Sequence, residues 1–141
     1  MAINYQIKMP VPRWPVGDRL VIGDRAIFHL IYLDSWRVEP PPTIGPVGLW
    51  EPIDIFHPNG KPDLRGALCL GEHSLPPGIS PKELVLLAYF SVSLQFYMLD
   101  ESDPAHVFNP AASEYFRCHS EYLPLTRAGL YDEWQAEKET S

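Results

Sequence analysis

An α+β fold, with an antiparallel sheet of about four strands followed by helices, is predicted by three features of the sequence. Prolines crowd the first third, over residues 10–15 and again 40–46, and exclude helix interiors there. Short apolar runs bounded by turn residues succeed one another over the same stretch. After Ser80 the pattern changes to longer apolar stretches that open on helix-capping residues. Strands first and helices afterwards is the α+β order, in which helices pack beside an antiparallel sheet.

The elements follow in order. Residues 19–22 and 26–32 are apolar runs separated by Gly23-Asp24, which predicts a hairpin turn there. Residues 50–56 read as a further strand, apolar at Trp50, Ile53, Ile55 and Phe56. A third proline cluster spans residues 76–81. In Ser80-Pro81-Lys82-Glu83, Ser80 can cap, Pro81 suits the first helical position and Glu83 can close a capping box. The run 84–90 is apolar nearly all round, so this helix is expected at the centre, covered on several sides. Asn109-Pro110-Ala111-Ala112 opens another helix, expected over 111–121, with Cys118 packed and His119 at the surface. Pro124 ends it or separates it from a polar final helix around 125–136, and residues 137–141 are expected to fray. The first 25 residues carry Pro10, Pro12 and Pro15 and no helical periodicity, so no long helix is expected there.

A chain of 141 residues with 45% apolar content forms one domain, 1–141, and can bury a core without disulfides or structural metal. Acids outnumber bases 18 to 11 with no basic stripe, which argues against a nucleic-acid partner. Two cysteines, Cys69 and Cys118, are too few for a disulfide scaffold and fit a reducing cytoplasm. The five histidines show no paired metal spacing, so neither metal nor cofactor is expected. The N-terminus lacks a basic region followed by an apolar run, so no signal peptide is expected. The longest apolar stretch, residues 84–99, is interrupted by Ser91, Ser93 and Gln95 and falls short of the roughly 20 residues that span a bilayer. No membrane partner is therefore expected, and the expected location is cytoplasmic.

Chemistry concentrates around Cys69. Each nearby residue has an ordinary reading when taken alone. Cys69 lies between two leucines, as core cysteines do. Pro58-Asn59-Gly60 is a turn sequence. His57 suits a satisfied core histidine, and Asp103-Pro104 a loop or a cap. Their joint order says more. Phe56-His57-Pro58-Asn59, then Leu68-Cys69-Leu70, then Ile79-Ser80, then Asp103-Pro104 and Asn109-Pro110-Ala111-Ala112 resembles the ubiquitin-conjugating enzyme family. That family carries a His-Pro-Asn tripeptide, a short irregular stretch and a catalytic Cys in an apolar-Cys-Leu triplet. Its proline-rich segment upstream is matched loosely by Trp36-Arg37-Val38-Glu39-Pro40-Pro41-Pro42. The landmarks fall in family order over most of the chain, with a conjugating core at about 19–123.

The resemblance implies a ubiquitin-conjugating-enzyme-like fold lacking the long N-terminal helix. It also implies a function. Cys69 would accept the C-terminus of a ubiquitin-like modifier as a thioester from an activating enzyme. It would then pass that acyl group to an amine, a lysine of a target protein. Thiolate is the nucleophile in the first step and the leaving group in the second. Asn59 would stabilise the oxyanion or the loop around it. His57, with Pro58, would hold the active-site loop together, and Asp103 would orient the incoming lysine and help it lose a proton.

The chain departs from the family in spacing. The distance from His57 to Cys69 is slightly longer, that from Cys69 to Ser80 is shorter and lacks the Trp common there, and that from Ser80 to Asp103 is longer. Without an N-terminal helix, recognition by an activating enzyme must differ. Such trimmed forms resemble the conjugating proteins of bacterial ubiquitin-like operons, including antiviral defence systems. The alternatives are a non-catalytic binding module of the same fold, and a thiol hydrolase using Cys69 with His57 or His73 as base.

Overall fold

Strands β1 (Ala2–Val16) and β2 (Arg19–Ile31) form a long antiparallel hairpin closed by Gly17-Asp18. Gly17 takes the positive φ of 62° that a two-residue hairpin turn requires at its first position. The computed structural model describes residues 1–60, 67–71, 74–100, 102 and 107–130. The expected turn at Gly23-Asp24 is thus corrected. Residues 19–31 are one strand, and Gly23 pairs with Val11 inside the ladder.

Two of the three prolines of β1, Pro10 and Pro15, sit where the register breaks, whereas Pro12 pairs with Ile22. Lys8 pairs with Arg25 and Val11 with Gly23, so Met9 and Pro10 oppose Asp24 alone. Trp14 and Pro15 likewise oppose Leu20 alone, between the pairs Arg13–Val21 and Val16–Arg19. A bulge leaves a residue outside the ladder, and proline has no N–H to place in one. The N-terminal stretch is therefore extended, as its composition predicts.

β3 (Ile44–Glu51) and β4 (Ala67–Cys69) complete a four-stranded antiparallel sheet in the order β1-β2-β3-β4. β3 begins six residues before the strand expected at 50–56 and ends as that stretch starts. Trp50 and Glu51 close the strand, Ile53 projects into solvent, and Ile55 makes only an isolated bridge to Arg13. Short-range apolar content misplaced this strand because Phe56 and Ile55 are buried by α2 and the hairpin rather than by a ladder.

One face of the sheet is buried. Ala26, Phe28 and Leu30 on β2, and Val47 and Leu49 on β3, pack against Leu84, Val85, Ala88, Tyr89 and Val92 of helix α1 (Pro81–Val92). On the other face His29 stacks on Trp50 at 4.2 Å and bonds Asn4.

Both helix starts form as the sequence predicts. Ser80 Oγ accepts from Glu83 N at 3.2 Å and donates to the Glu83 carboxylate, with Pro81 at the first helical position. α1 ends on Leu94, whose φ of 58° is one that glycine normally supplies. Burial holds it there. Leu94 is fully enclosed in a second apolar cluster with Leu20, Phe56, Ala112 and Phe116. Helix α2 (Pro110–Cys118) is capped by Asn109, whose side chain accepts from Ala112 N at 3.1 Å.

The helix expected over 111–121 stops at Cys118, followed by a short 3-10 turn, Ser120–Tyr122. Cys118 is exposed rather than packed, and His119 is half-buried against Tyr115 at 4.1 Å. Residues 125–129 are not helical. They run beside α1, where Ala128 O accepts from Tyr89 Oη and Gln95 Nε2. The remainder of the expected final helix, and the tail after it, lie outside the described residues. No helix among the described residues is long and apolar enough to cross a membrane.

Candidate active site

The segment Phe56-His57-Pro58-Asn59-Gly60 leaves the sheet region as an irregular strap between the two apolar clusters. Phe56 anchors one end in the cluster beside α2, where it meets Trp14 at 4.8 Å and Tyr115 edge-on at 5.5 Å. Its N–H bonds Pro12 O at 2.9 Å. His57 then turns inward and is completely buried.

Both ring nitrogens of His57 are engaged. Nε2 donates to the α1 carbonyl of Ser91 at 2.6 Å, and Nδ1 accepts from the Asn59 N–H at 3.0 Å. This pairing needs the neutral ring protonated on Nε2. Burial, opposed only in part by the Ser91 carbonyl, pushes the His57 pKa down to about 4. The imidazole thus ties the strap to α1. Neither nitrogen keeps a lone pair for Cys69, so a hydrolase with His57 as its base finds no support in this geometry. His73, the other candidate base, lies outside the described residues.

Pro58 offers its carbonyl to the strand of chain leading into α2, accepting from Phe108 N at 2.9 Å and Asn109 N at 3.2 Å. Asn59, also buried, clasps one residue from both sides. Nδ2 donates to Met98 O at 2.9 Å and Oδ1 accepts from Met98 N at 2.8 Å. The neighbouring Leu99 carbonyl is held in turn by Ser113 Oγ and Arg117 of α2. The strap, the 98–100 segment and α2 therefore form one hydrogen-bonded unit.

Cys69 joins this unit through the backbone. It is the last residue of β4, and its N–H donates to Asn59 O at 3.0 Å. Its side chain is fully buried, and Sγ donates to Gly71 O at 3.3 Å. The structure thus brings together His57, Pro58, Asn59 and Cys69 out of the residues singled out in the sequence. Asp103 lies outside the described residues. Asp100, two residues past Met98, is an exposed carboxylate held below its usual range by hydrogen bonds from the Ser102 hydroxyl and N–H.

Sequence reasoning missed the partners that hold the strap, Ser91 and Met98. They act through backbone atoms, which carry no residue-type signal. One further feature has no sequence signal either. Ser91 Oγ is buried without a hydrogen-bond partner, beside the carbonyl that receives His57.

The site can hold a thiol at the end of a strand, beside a hydrogen-bonded polar loop. Among the described residues, no group of three or more His, Cys, Asp or Glu side chains gathers as metal ligands do. Comparison of the chain with protein-family models, with curated proteins and with solved structures finds no match in any of the three.

Proposed function

We propose that this protein is a conjugating enzyme for a ubiquitin-like modifier, with Cys69 as the acyl carrier, in a ubiquitin-conjugating-enzyme-like fold without the long N-terminal helix. The observation that supports it best is the bond from Cys69 N to Asn59 O, which binds the candidate thiol to a His-Pro-Asn strap with every polar side-chain atom engaged. A thiol that is loaded and unloaded in turn needs a surrounding loop that does not rearrange between steps.

The roles in this reading are these. Cys69 attacks the modifier thioester as thiolate and later leaves as thiolate. Loading requires the Sγ–Gly71 bond to break, a neutral hydrogen bond worth on the order of 1 kcal/mol. His57 and Pro58 hold the strap. Asn59 acts as a positioning residue through its clasp on Met98, and in this reading it also stabilises the oxyanion or the loop around it. Asp103 orients the amine. The partners are an activating enzyme, a ubiquitin-like modifier and a target lysine in the cytoplasm, in a setting like that of bacterial ubiquitin-like operons, antiviral ones included. Residues 2–16 are a strand, so no helix within them recruits the activating enzyme.

The test is a non-reducing gel with activating enzyme, ATP and modifier. A thiol-sensitive adduct forms on the wild-type chain and is lost in Cys69→Ala. No adduct with a verified cognate partner sinks the proposal.

A second reading, a non-catalytic binding module, is favoured by one specific observation. Cys69 is fully buried, and nucleophilic cysteines are at least partly exposed. Full biological activity in Cys69→Ala would select this reading.

A further inference from the structure

The two edges of the sheet are closed unequally. β4, at one edge, has three residues and is covered by the strap, through the Gly60–Leu68 bridge and the bond from Cys69 N to Asn59 O. β1, at the other edge, is covered over its second half. There Pro12 O accepts from Phe56 N at 2.9 Å, and Trp14 N donates to Asp54 O at 3.2 Å. Bulges and prolines break the rest of that half, as they do on protected edges. Residues 2–7 carry none of these devices: no proline, no bulge and no charge.

The backbone groups of this stretch can be assigned one by one. Met1 and Tyr32 exchange both of their bonds, at 3.0 and 2.9 Å. Antiparallel pairs alternate between bonded and non-bonded, so the next bonded pairs are Ile3–Leu30, Tyr5–Phe28 and Ile7–Ala26. The N–H and C=O groups of Ala2, Asn4 and Gln6 therefore point away from β2. All three residues are exposed, and among the described residues no strand lies along them. Ile3, Tyr5 and Ile7 are half-buried, with Tyr5 and Ile7 packed against the core under the sheet.

We propose that residues 2–6 of β1 pair antiparallel with the same residues of a second copy of this chain, about a twofold axis through Asn4. That axis sets Ala2 against Gln6 and Asn4 against Asn4, and it uses all six outward groups of each copy. On the core face Ile3 meets Tyr5 of the second copy, an aromatic and β-branched pair of the kind that stabilises sheets. A strand seated here must be apolar at alternate positions and uncharged between them, and β1 itself has that pattern. The net charge of −7 lies outside residues 2–7, so it opposes approach at long range and salt screens it. A seam this short buries less than the ~800 Å² per partner of a standard interface, so the dimer is weak and reversible. β1 and β4 are opposite edges, so the seam covers Cys69 in neither copy.

The test uses the full-length chain under reducing conditions. Sedimentation from about 1 to about 300 µM is expected to show the mass rising from 16.0 kDa toward twice that value, with more dimer at higher salt. Over the same range the amides of Asn4 and Gln6 gain protection from hydrogen exchange. Those of Ile3, Tyr5 and Ile7, bonded within the hairpin, are protected at every concentration. Asn4→Lys and Asn4→Glu each set like charges opposite one another at the axis, and each is expected to weaken association about tenfold or more. Mixed in equal amounts, the two variants restore it. Gln6→Pro removes an outward N–H and leaves the bonds to β2 intact, so it gives a folded monomer. A chain that stays monomeric throughout leaves this edge to a strand of another protein and overturns the second copy. A dimer that survives in all three variants, or that forms without protecting Asn4 and Gln6, overturns it as well. A mixture that fails to associate where the wild type does overturns the axis through Asn4. If a variant melts early, the exchange pattern of the wild type decides the outcome by itself.

Discussion

The core under the sheet draws on residues that alternate along strands, whereas the smaller core beside α2 gathers Leu20, Phe56, Leu94 and Phe116 from four separate parts of the chain. The strand side chains of the first have neighbours set by register, with α1 laid over them. Those of the second meet only after the hairpin, the strap and both helices are in place. The His57-Pro58-Asn59 strap runs from the second core to α1, the central helix of the first. The candidate site is therefore positioned where locally patterned structure meets structure assembled at long range.

The largest effects should come from emptying each core. Phe28→Ala, under the sheet, is expected to cost about 4 kcal/mol, and Phe116→Ala a similar amount, from lost transfer energy and the cavity left behind. Urea melts measure the loss. Hydrogen exchange separates the two variants. Phe116→Ala should first expose the amides of Asn59, Phe108 and Asn109, while those of β2 stay protected. Uniform exposure in both variants would make the two cores one cooperative unit and end the distinction.

The next effect tests the link between them through pH. The His57 pKa lies near 4 in the folded chain and at 6.5 when unfolded. Above pH 6.5 the ring is neutral in both states, and stability from this group is whole. As pH falls from 6.5 to 4, the unfolded chain takes up a proton that the folded one refuses. Stability then drops by about 1.4 kcal/mol per pH unit, roughly 3 kcal/mol in all. A His57→Gln variant should lose this slope. A slope unchanged in that variant would place the acid sensitivity elsewhere.

Asn59→Ala is expected to cost about 2 kcal/mol, because Met98 N and O lose both partners while buried. In the carrier reading it also slows transfer more than loading, which single-turnover assays with the cognate modifier would separate. The smallest effect is expected at Leu94. Leu94→Gly relieves about 1 kcal/mol of left-handed strain but forfeits about 2 kcal/mol of burial, a net loss near 1 kcal/mol. A gain in melting temperature would mean that the second core contributes less than its packing suggests.

Much of the first core and little of the second was legible in advance. Two Gly-Asp dipeptides, Gly17-Asp18 and Gly23-Asp24, offer the same turn chemistry six residues apart. Local reasoning selects the one between two apolar runs. The fold uses the other, and places Asp24 opposite the Met9-Pro10 bulge. Likewise, Ile55 and Phe56 look like strand residues, yet their burial comes from contacts with β1 and α2. At the site, the residue types of His57, Asn59 and Cys69 were visible as a pattern. Their partners were not, because Asn59 bonds a backbone 39 residues away and His57 one 34 away.

By itself the sequence determined what short-range bonds decide. Ser80 and Asn109 cap their helices through N–H groups three residues on, and the prolines of residues 10–15 force extended chain. The order of strands before helices followed from the same local rules. Tertiary structure decided which Gly-Asp turns, where β3 begins, and that Cys69 is enclosed while Cys118 faces solvent. The physical reason is that burial and register depend on surfaces brought together from distant parts of the chain, and no run of neighbouring residues encodes them.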